Sequence, residues 1–484
     1  MSLRKKTLSG IAWTFGQQVG VQGINFIVQI ILARLLLPSD FGLIAMIQIF
    51  LAIGKTLMDS GMTSSLIRTE NADQRDYSTV FFINLFASIG LYLLLFFTAP
   101  LIASFFNQEL LTLIIRVYTL SFVIQALVGV QTTRLTKEMN FKLQMYMQIP
   151  STLCGGIAGV ILAYKGYGVW SLVWMQLITT TIFMVQHWLR LKWRPSLIID
   201  RQKMKHHLSF GYKITLSALL TTFYYESNTI LLGKFFSSAQ LGFYKQASNL
   251  RMFPLRNITS ALQKVTYPMF SSIQNENEKI RTIFKRITSV VFFVMVPIML
   301  LMTLVAEPLF RIVLTDKWLP SVPIFQILCV FSIFYPLSMY NLNLILAKGR
   351  SDLHFKLEVI KKGISICFLL LIIPFGVHGV AYAAGIGMLI HAFVNSLYSG
   401  RLIQYPVLEQ FKDISNILII GFFSMGITFV FNKLFIIPSD YGDIFIILIV
   451  SLVFIILYIS ISFLFRVTAI NEIKVLIKHF MNKA

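Results

Sequence analysis

Two stretches of the chain repeat each other at an offset of 200 residues. Residues 32–42 read LARLLLPSDFG and residues 232–242 read LGKFFSSAQLG, so each opens on leucine, carries a cation at its third place and closes on glycine. Shorter matches follow, pairing residues 141–143 with 355–357 and residues 168–169 with 379–380. Internal repeats in apolar chains are typical of transporter folds, in which the binding site lies where the repeats meet.

The composition excludes a water-soluble protein. The chain has 484 residues, 56% of them hydrophobic and 13% charged, and its mean hydropathy is +0.74. A soluble domain carries about 25% charged residues, so this chain cannot cover a soluble surface. Soluble enzymes, disordered and fibrous proteins and secreted disulfide scaffolds are therefore excluded. The three cysteines lie in apolar runs, which predicts packing residues rather than disulfides.

The apolar runs predict an all-α polytopic membrane protein with about 14 transmembrane helices, because one span needs about 20 mostly apolar residues. The candidate spans cover residues 10–33, 41–62, 79–99, 110–130, 149–164, 170–188, 210–233, 241–263, 287–305, 324–346, 359–375, 380–400, 414–432 and 444–465. With both termini inside, the inner segments carry about five times as many Lys and Arg residues as the outer loops. Most of the net charge of +22 is therefore topological.

The repeat divides the chain into two lobes. Six predicted helices separate equivalent positions, and an even number makes the two lobes parallel. We expect an N-lobe over residues 1–189, a basic cytoplasmic linker over 190–209, a C-lobe over 210–403, and two further helices with a basic cytoplasmic tail over 404–484. The linker is expected to lie on the anionic inner leaflet, and His206 and His207 at its end are expected on the surface.

Rows of polar side chains lie inside the predicted spans. Gln18, Gln22, Asn25 and Gln29 are spaced by four, three and four residues, so they share one face of the first helix. Because charge and polarity are costly at membrane depth, such side chains should line a hydrated cavity or bind a neighbouring helix.

The cations within the predicted spans favour the cavity. Lys55 lies in the second helix, and Lys245, Arg251 and Arg256 lie in the eighth. Together with the polar row of the first helix they predict a hydrated cationic cavity that binds an anionic substrate.

Two acids at membrane depth are candidates for coupling to a cation. Asp59 follows Lys55 by one turn, and Glu226 is a lone acid in the seventh helix. Each could instead neutralise a nearby cation. Their chemistry suits binding of H⁺ or Na⁺.

Motifs for other chemistry are absent from the sequence. There is no G-x-x-x-x-G-K-[ST] phosphate loop and no D-x-D pair, and the histidines lack metal-ligand spacing. We therefore expect no cofactor, no metal site, no nucleic-acid partner and no enzyme activity.

Several short motifs, in order, resemble those of Wzx-type polysaccharide flippases. This family belongs to the multidrug/oligosaccharidyl-lipid/polysaccharide exporter superfamily, and the likeness is to the branch of colanic-acid and teichuronic-acid exporters, over residues 1 to about 400. The matching segments are 33–36, 38–42, 241–244 with Ala247, 267–270, 307–309, 318–320 with Pro323, and 346–350.

The resemblance implies a fold and a function. The fold would be two six-helix bundles in a V that opens to each side in turn. The substrate would be a polyprenyl-pyrophosphate-linked oligosaccharide, moved from the inner to the outer leaflet of a bacterial cytoplasmic membrane. This step serves the synthesis of lipopolysaccharide, O-antigen, capsule or exopolysaccharide. The two additional C-terminal helices resemble those of lipid II flippases.

Two alternatives come from other functional classes. The first is an ion-coupled antiporter of drugs or small solutes from the same superfamily, although a cationic cavity disfavours cationic drugs. The second is a membrane-embedded polysaccharide polymerase or glycosyltransferase, which would need a sizeable loop outside the membrane or clustered acids. The sequence has neither of those features.

Overall fold

The computed structural model describes residues 3–59, 61–436, 441–470 and 472, and over these residues it is helical with no strand. Two compact units divide the chain, Met1–Gly242 and Phe243–Ala484. The helices of the first unit are α1 (Leu3–Leu35), α2 (Pro38–Asp59), α3 (Met62–Arg68), α4 (Gln74–Phe106), α5 (Leu110–Tyr118), α6 (Leu120–Lys137), α7 (Phe141–Tyr164), α8 (Trp170–Arg190) and α9 (Arg201–Phe235).

The second unit begins within α10 (Ser238–Ser272) and continues with eight more helices. These are α11 (Asn277–Leu304), α12 (Ala306–Leu314), α13 (Ser321–Ser332), α14 (Tyr335–Ala347), α15 (Ser351–Ile372), α16 (Gly376–Leu402), α17 (Val407–Phe431) and α18 (Asp443–Leu464). Short 3-10 turns cover Asp316–Trp318 and Ile373–Phe375, and a π-helical turn covers Asn432–Ile436.

Each of the fourteen predicted spans falls on a helix or on a pair of consecutive helices. Nine described helical segments are long and apolar enough to cross a membrane, or ten if the pair α13 and α14, bent by 42°, forms one span. The all-helical membrane fold is confirmed. The number fourteen stays a prediction, because α8, α9 and α10 are not among these segments and α15 and α16 are counted together as one.

The repeated stretches of sequence have the same local structure. The breaks between α1 and α2 and between α9 and α10 are offset by 200 residues. In the first, Asp40 Oδ2 accepts a hydrogen bond from the Leu37 backbone N–H at 2.9 Å. In the second, Gln240 Oε1 accepts from the Ser237 N–H at 3.1 Å. Each side chain satisfies a backbone donor at its helix start, so the repeat preserves the cap as well as the pattern.

The two repeated turns pack on each other through their glycines. A Cβ placed on Gly42 would lie 1.8 Å from the Ser238 carbonyl oxygen, and one placed on Gly242 would lie 2.0 Å from the Pro38 carbonyl oxygen. No side chain fits at those distances. The glycines that close the two sequence repeats are therefore required by the backbone contact between the starts of α2 and α10.

The compact units divide after Gly242, whereas the sequence places the start of the second lobe at residue 210. Helix α9 lies in the first unit, where it packs against α2, α3 and α4. The compact units are defined by which helices touch, whereas the lobes are defined by which segments have similar sequences. The two divisions therefore need not coincide. The lobe limits 1–189 and 210–403 stay a prediction.

Buried amides hold the helices of the second unit together. Asn341 of α14 donates through Nδ2 to Ser396 Oγ of α16 at 2.9 Å and to Gln410 Oε1 of α17 at 3.0 Å. All three side chains are buried. Such interhelical bonds are a main source of helix association in lipid, where apolar contact gives little advantage over lipid tails.

Candidate functional site: a polar cavity in the first unit

A cavity of about 540 Å³ lies in the first unit among α2, α3, α6, α8 and α9. Its lining includes seven threonines and one lysine. The lining residues are Lys55, Thr56, Met58, Gly61, Thr63, Gln125, Val128, Gly129, Thr132, Thr133, Thr136, Thr180, Phe183, Thr215 and Ala218. Lys55 is the charged residue among them. The structure therefore places Lys55 in a cavity, and its role and its ligand stay predictions.

A tight turn brings α9 to the wall of this cavity. Gly61 joins α2 to α3 with a φ of 65°, a left-handed conformation that favours glycine. A Cβ on Gly61 would lie 2.7 Å from the Gly211 carbonyl oxygen of α9. The turn therefore lets the α9 backbone approach closely, and Thr215, one turn after Gly211, lines the cavity.

The threonine hydroxyls are positioned to accept hydrogen bonds. Thr132, Thr136, Thr180 and Thr215 each donate to the carbonyl oxygen four residues earlier in their helix, at 2.9–3.1 Å. A hydroxyl that donates inward still has lone pairs that face outward. The wall can thus accept hydrogen bonds from the hydroxyls of a ligand while its own donors are satisfied.

The polar row of α1 lies on an exposed side of its helix. Helix α1 packs on α7 through its glycines, since a Cβ on Gly16 would meet Met145 and one on Gly20 would meet Ile149. The predicted row is exposed, and helical geometry puts it on the side turned away from that contact. Its members are Gln18, Gln22, Asn25 and Gln29. Their role in binding stays a prediction.

The three predicted cations of α10 differ in exposure. Arg256 is exposed and Lys245 half-buried, whereas Arg251 is only 5% exposed. The Arg251 guanidinium lies 3.5 Å from Ser248 Oγ and 3.8 Å from Met388 Sδ, and its Nε has no hydrogen-bond partner among the described residues. Arg256 is therefore the more accessible of the two arginines, and Arg251 lies inside the second unit.

The two predicted ion-coupling acids are only partly described. Glu226 is half-buried, and its Oε2 accepts a hydrogen bond from Thr229 Oγ1 at 3.0 Å. The side chain of Asp59 lies outside the described residues. Coupling through either acid stays a prediction.

Comparisons with known proteins identify the family to which the chain belongs. A family model described as polysaccharide biosynthesis protein matches residues 31–323, well over half of the chain. The chain belongs to this family. It is 25% identical over 410 residues to the lipopolysaccharide biosynthesis protein WzxC of Escherichia coli (strain K12), which covers 84% of this chain and 83% of that one. It is 27% identical over 356 residues to the teichuronic acid biosynthesis protein TuaB of Bacillus subtilis (strain 168), covering 73% and 74%.

Solved structures confirm the fold of this family member. The lipid II flippase MurJ in an inward closed conformation matches with a TM-score of 0.74 at 14% identity, over 95% of this chain and 99% of that one. An inward-facing multidrug resistance transporter of the MATE family and MOP superfamily matches with a TM-score of 0.62 at 17% identity, over 79% and 94%. These likenesses show the fold, and the predicted resemblance to Wzx-type polysaccharide proteins is confirmed by the family model and by the relatives named above.

Sequence reasoning missed a buried ionic cluster beside the cavity. Asp76 at the start of α4 is 1% exposed, and its carboxylate lies 2.8 Å from Lys203 Nζ and 3.1 Å from His207 Nε2. Ser65 Oγ of α3 lies 2.7 Å from His207 Nδ1. The expectation of a surface His207 is wrong, because α4 and α3 cover it completely.

The charges of this cluster follow from its geometry. The hydrogen bond to Asp76 raises the pKa of the Lys203 ammonium, so this side chain is charged at neutral pH. Burial lowers the pKa of His207, so the imidazole is neutral there. With Nε2–H donating to Asp76, Nδ1 accepts from the Ser65 hydroxyl, and each buried group in the cluster has a partner. The cluster thus ties the start of α9 to α3 and α4.

The preceding linker is attached to the same edge of α4. Gln74 Nε2 donates to the Arg194 carbonyl oxygen at 2.8 Å, and the Trp193 indole N–H donates to Gln74 Oε1 at 2.6 Å. The Asp200 N–H donates to Thr79 Oγ1 at 3.0 Å. The linker is therefore hydrogen-bonded to the start of α4 through residues 193–200, and its expected place on the anionic inner leaflet stays a prediction.

Proposed function

We propose that the protein is a flippase for polyprenyl-pyrophosphate-linked oligosaccharides. The observation that carries the proposal is membership of the polysaccharide biosynthesis family in a chain whose fold is that of the lipid II flippase MurJ. The relatives named for lipopolysaccharide and teichuronic acid biosynthesis, and ExoT of Rhizobium meliloti (strain 1021), a succinoglycan biosynthesis transport protein, support the same class of pathway.

The physical problem is to move a charged and hydrated head group through hydrocarbon. A pyrophosphate and a row of sugar hydroxyls lose their hydration in lipid, at a cost no passive crossing can meet. The polyprenyl tail has no such problem and can stay in the bilayer. The protein therefore needs a hydrated passage with cations for the phosphates and hydrogen-bonding groups for the glycan.

The cavity of the first unit offers both kinds of group. Lys55 supplies a positive charge for a phosphate oxygen, and the hydroxyl lone pairs of Thr132 and Thr215 can accept from sugar hydroxyls. Hydroxyl acceptors select weakly among sugars, which suits a carrier of large glycans. The polar row of α1, in the same unit, would extend the contact along the glycan.

The proposed setting is the bacterial cytoplasmic membrane with both termini cytoplasmic. Lys55 lies four residues before the end of α2, or about 6 Å along the helix. In the predicted topology that end faces the cytoplasm, where the lipid-linked substrate is made. Alternating access then delivers the head group to the outer leaflet, and a gradient of H⁺ or Na⁺ supplies the bias.

The test is translocation by purified protein in liposomes. A fluorescent polyprenyl-pyrophosphate oligosaccharide is incorporated, and its arrival in the outer leaflet is followed with an impermeant quencher. We expect fast exchange of this lipid, slower exchange of the same lipid without its glycan, and none of a fluorescent phosphatidylcholine. Empty liposomes give the background rate.

Other outcomes identify other functions. Proton-driven uptake of a cationic dye, without movement of the pyrophosphate lipid, would show the small-solute antiporter of the same superfamily. Lengthening of the glycan by the purified protein would show a polymerase. Equal exchange of phosphatidylcholine would show an unselective scramblase and contradict the proposal.

A further inference from the structure

A second group of charged side chains lies inside the second unit, between α15 and α16. Glu358 accepts a hydrogen bond from Lys361 Nζ at 2.5 Å, and Lys362 Nζ lies 3.5 Å from its other oxygen. On α16, His391 Nε2 lies 3.0 Å from Ser365 Oγ of α15. We call these five residues the Lys361 cluster.

The Lys361 cluster lies near the middle of an apolar helix pair. Lys361 follows Ser351, the first residue of α15, by ten positions, so it lies about 15 Å along a helix about 33 Å long. The segment Ser351–Leu402 is apolar enough to span a membrane. Lys361 is nevertheless only 3% exposed, so its ammonium lies inside the protein within an apolar helix pair, where a charge is costly.

The α15 members of the cluster continue a polar row from the start of the helix. His354, Glu358, Lys361 and Ser365 are spaced by four, three and four residues, so they share one face. The row covers twelve residues, or about 16 Å along the axis. Imidazole, carboxylate, amine and hydroxyl groups can each pass a proton, and the row runs from near the Ser351 end of α15 to Ser365, which contacts His391.

The cluster holds more positive than negative charge. Lys361 and Lys362 share the carboxylate of Glu358, and these three are the charged groups that act on His391. Helices α13, α14 and α17 also pack on α16, but the three charged groups that act on His391 all lie on α15. The buried Arg251 of α10 reaches Met388, one turn before His391, at 3.8 Å.

The surplus of positive charge makes the binding of a proton to His391 depend on how much water the site holds. A proton on His391 would stand beside the Lys361 ammonium, and like charges repel strongly in a dry site and weakly in a wet one. When water enters the site, the imidazole can accept a proton; when the site dries, the proton is expelled. A group whose proton affinity differs between two conformations couples those conformations to proton movement.

We propose that the Lys361 cluster is a proton-binding site that couples lipid translocation to a proton gradient. The inference rests on the proposed flippase function. His391 is the group that gains and loses the proton, forming an N–H bond on the ring nitrogen that bore none and returning the proton to water. Glu358 and Lys361 position the charge that drives the release, so they are positioning residues. No other reactant takes part.

The experiment uses the full chain in liposomes with the fluorescent pyrophosphate lipid. The plateau fraction of lipid in the outer leaflet is measured at equal pH on both sides and with a gradient of one pH unit. One coupled proton per lipid changes the leaflet ratio by up to about tenfold per unit. The variants are His391→Gln and Glu358→Gln, and the matched control is Lys356→Gln, an exposed lysine on the same helix.

Glu358→Gln leaves the Lys361 ammonium buried without its acid, which can prevent folding. A second variant therefore tests the same site without an unpaired buried charge. Glu358→Gln combined with Lys361→Met removes both charges and keeps their volume, a replacement that buried pairs often tolerate. The Glu358→Gln variant and the double variant are both expected to exchange lipid at the wild-type rate without a gradient. Both are expected to lose the gradient-dependent shift in the leaflet ratio. Lys356→Gln is expected to keep both.

The outcomes separate the inference from the function beneath it. Exchange at equal pH in wild type, with no shift under a gradient, would keep the flippase and overturn the coupling site. A shift that persists in His391→Gln and in the double variant would also overturn it, as would a shift lost in Glu226→Gln but retained in those variants. No exchange of any kind by folded wild type would instead remove the proposed function, and the inference with it.

Discussion

Replacement of Asp76 by asparagine should destabilise the first unit more than the loss of an exposed carboxylate there. The Asp76 carboxylate, 1% exposed, accepts from Lys203 Nζ at 2.8 Å, from His207 Nε2 at 3.1 Å and from the Asp73 N–H at 3.0 Å, which completes a capping box. An amide of the same size keeps one acceptor oxygen and carries no charge. Lys203 then keeps Asp73 at 3.9 Å as its nearest acid.

The magnitude follows from the burial of the partners. Breaking a fully buried ion pair costs about 3–5 kcal/mol, because one charge is left without compensation. Lys203 is 34% exposed, so water offsets part of that cost and about 2–3 kcal/mol remains. For a unit of 242 residues this corresponds to a fall in Tm of roughly 5–10 °C.

The assay is thermal unfolding of purified protein in detergent, followed by the loss of the monodisperse peak in size-exclusion chromatography. Glu70→Gln, an exposed acid in the preceding loop, is the matched control and should shift Tm by less than about 1 °C. Asp76→Asn with Lys203→Met should recover part of the loss. If Asp76→Asn matched the control, or if the second replacement recovered nothing, the cluster would not be the tie between α4 and α9 that its geometry implies.

Three further outcomes are expected from the same thermal assay. Glu409→Gln, whose ion pairs are about one-third exposed, should lower Tm far less than Asp76→Asn; an equal fall would contradict the dependence on burial. Gly42→Ala should lower Tm, because its Cβ would overlap the Ser238 carbonyl oxygen. Gly90→Ala, with open space around it, should leave Tm unchanged or raise it. Similar shifts of Tm in both variants would refute the contact. Burial lowers the pKa of His207, so its contribution is complete above about pH 6.5 and is lost as the pH falls; Tm should therefore drop below that pH in wild type and less in His207→Gln, and parallel curves would contradict this.

Hydropathy and the internal repeat were sufficient to predict the membrane fold. Apolar runs of the right length mark helices because lipid leaves the backbone no other partner. The repeat also closes on glycine at both positions, and the structure explains these glycines by a backbone contact that the sequence analysis did not predict. The division of the compact units could not be predicted, because the contacts of α9 with α2 and α4 depend on packing that no local pattern encodes.

The candidate site was predicted only in part. Lys55 was identified because a cation within an apolar run is conspicuous, whereas the threonines around it resemble ordinary helix residues in sequence. His207 looked like a surface residue because its partner Asp76 is 131 positions away in the chain. Lys361 lay at the predicted inner edge of a span over 359–375, and the start of α15 at Ser351 moves it to mid-helix.

The most direct test of the flippase proposal is the rate at which the pyrophosphate lipid crosses the liposome membrane in wild type and in two lysine variants. Lys55→Ala removes the charge from the cavity, and Lys165→Ala removes an equal charge from an exposed loop outside it. A charged hydrogen bond to a phosphate is worth about 1.5–3 kcal/mol, so Lys55→Ala should slow exchange about tenfold or more at limiting lipid, while Lys165→Ala retains the wild-type rate. Equal rates in all three proteins would contradict the cavity as the head-group site, and no exchange by folded wild type would contradict the flippase itself.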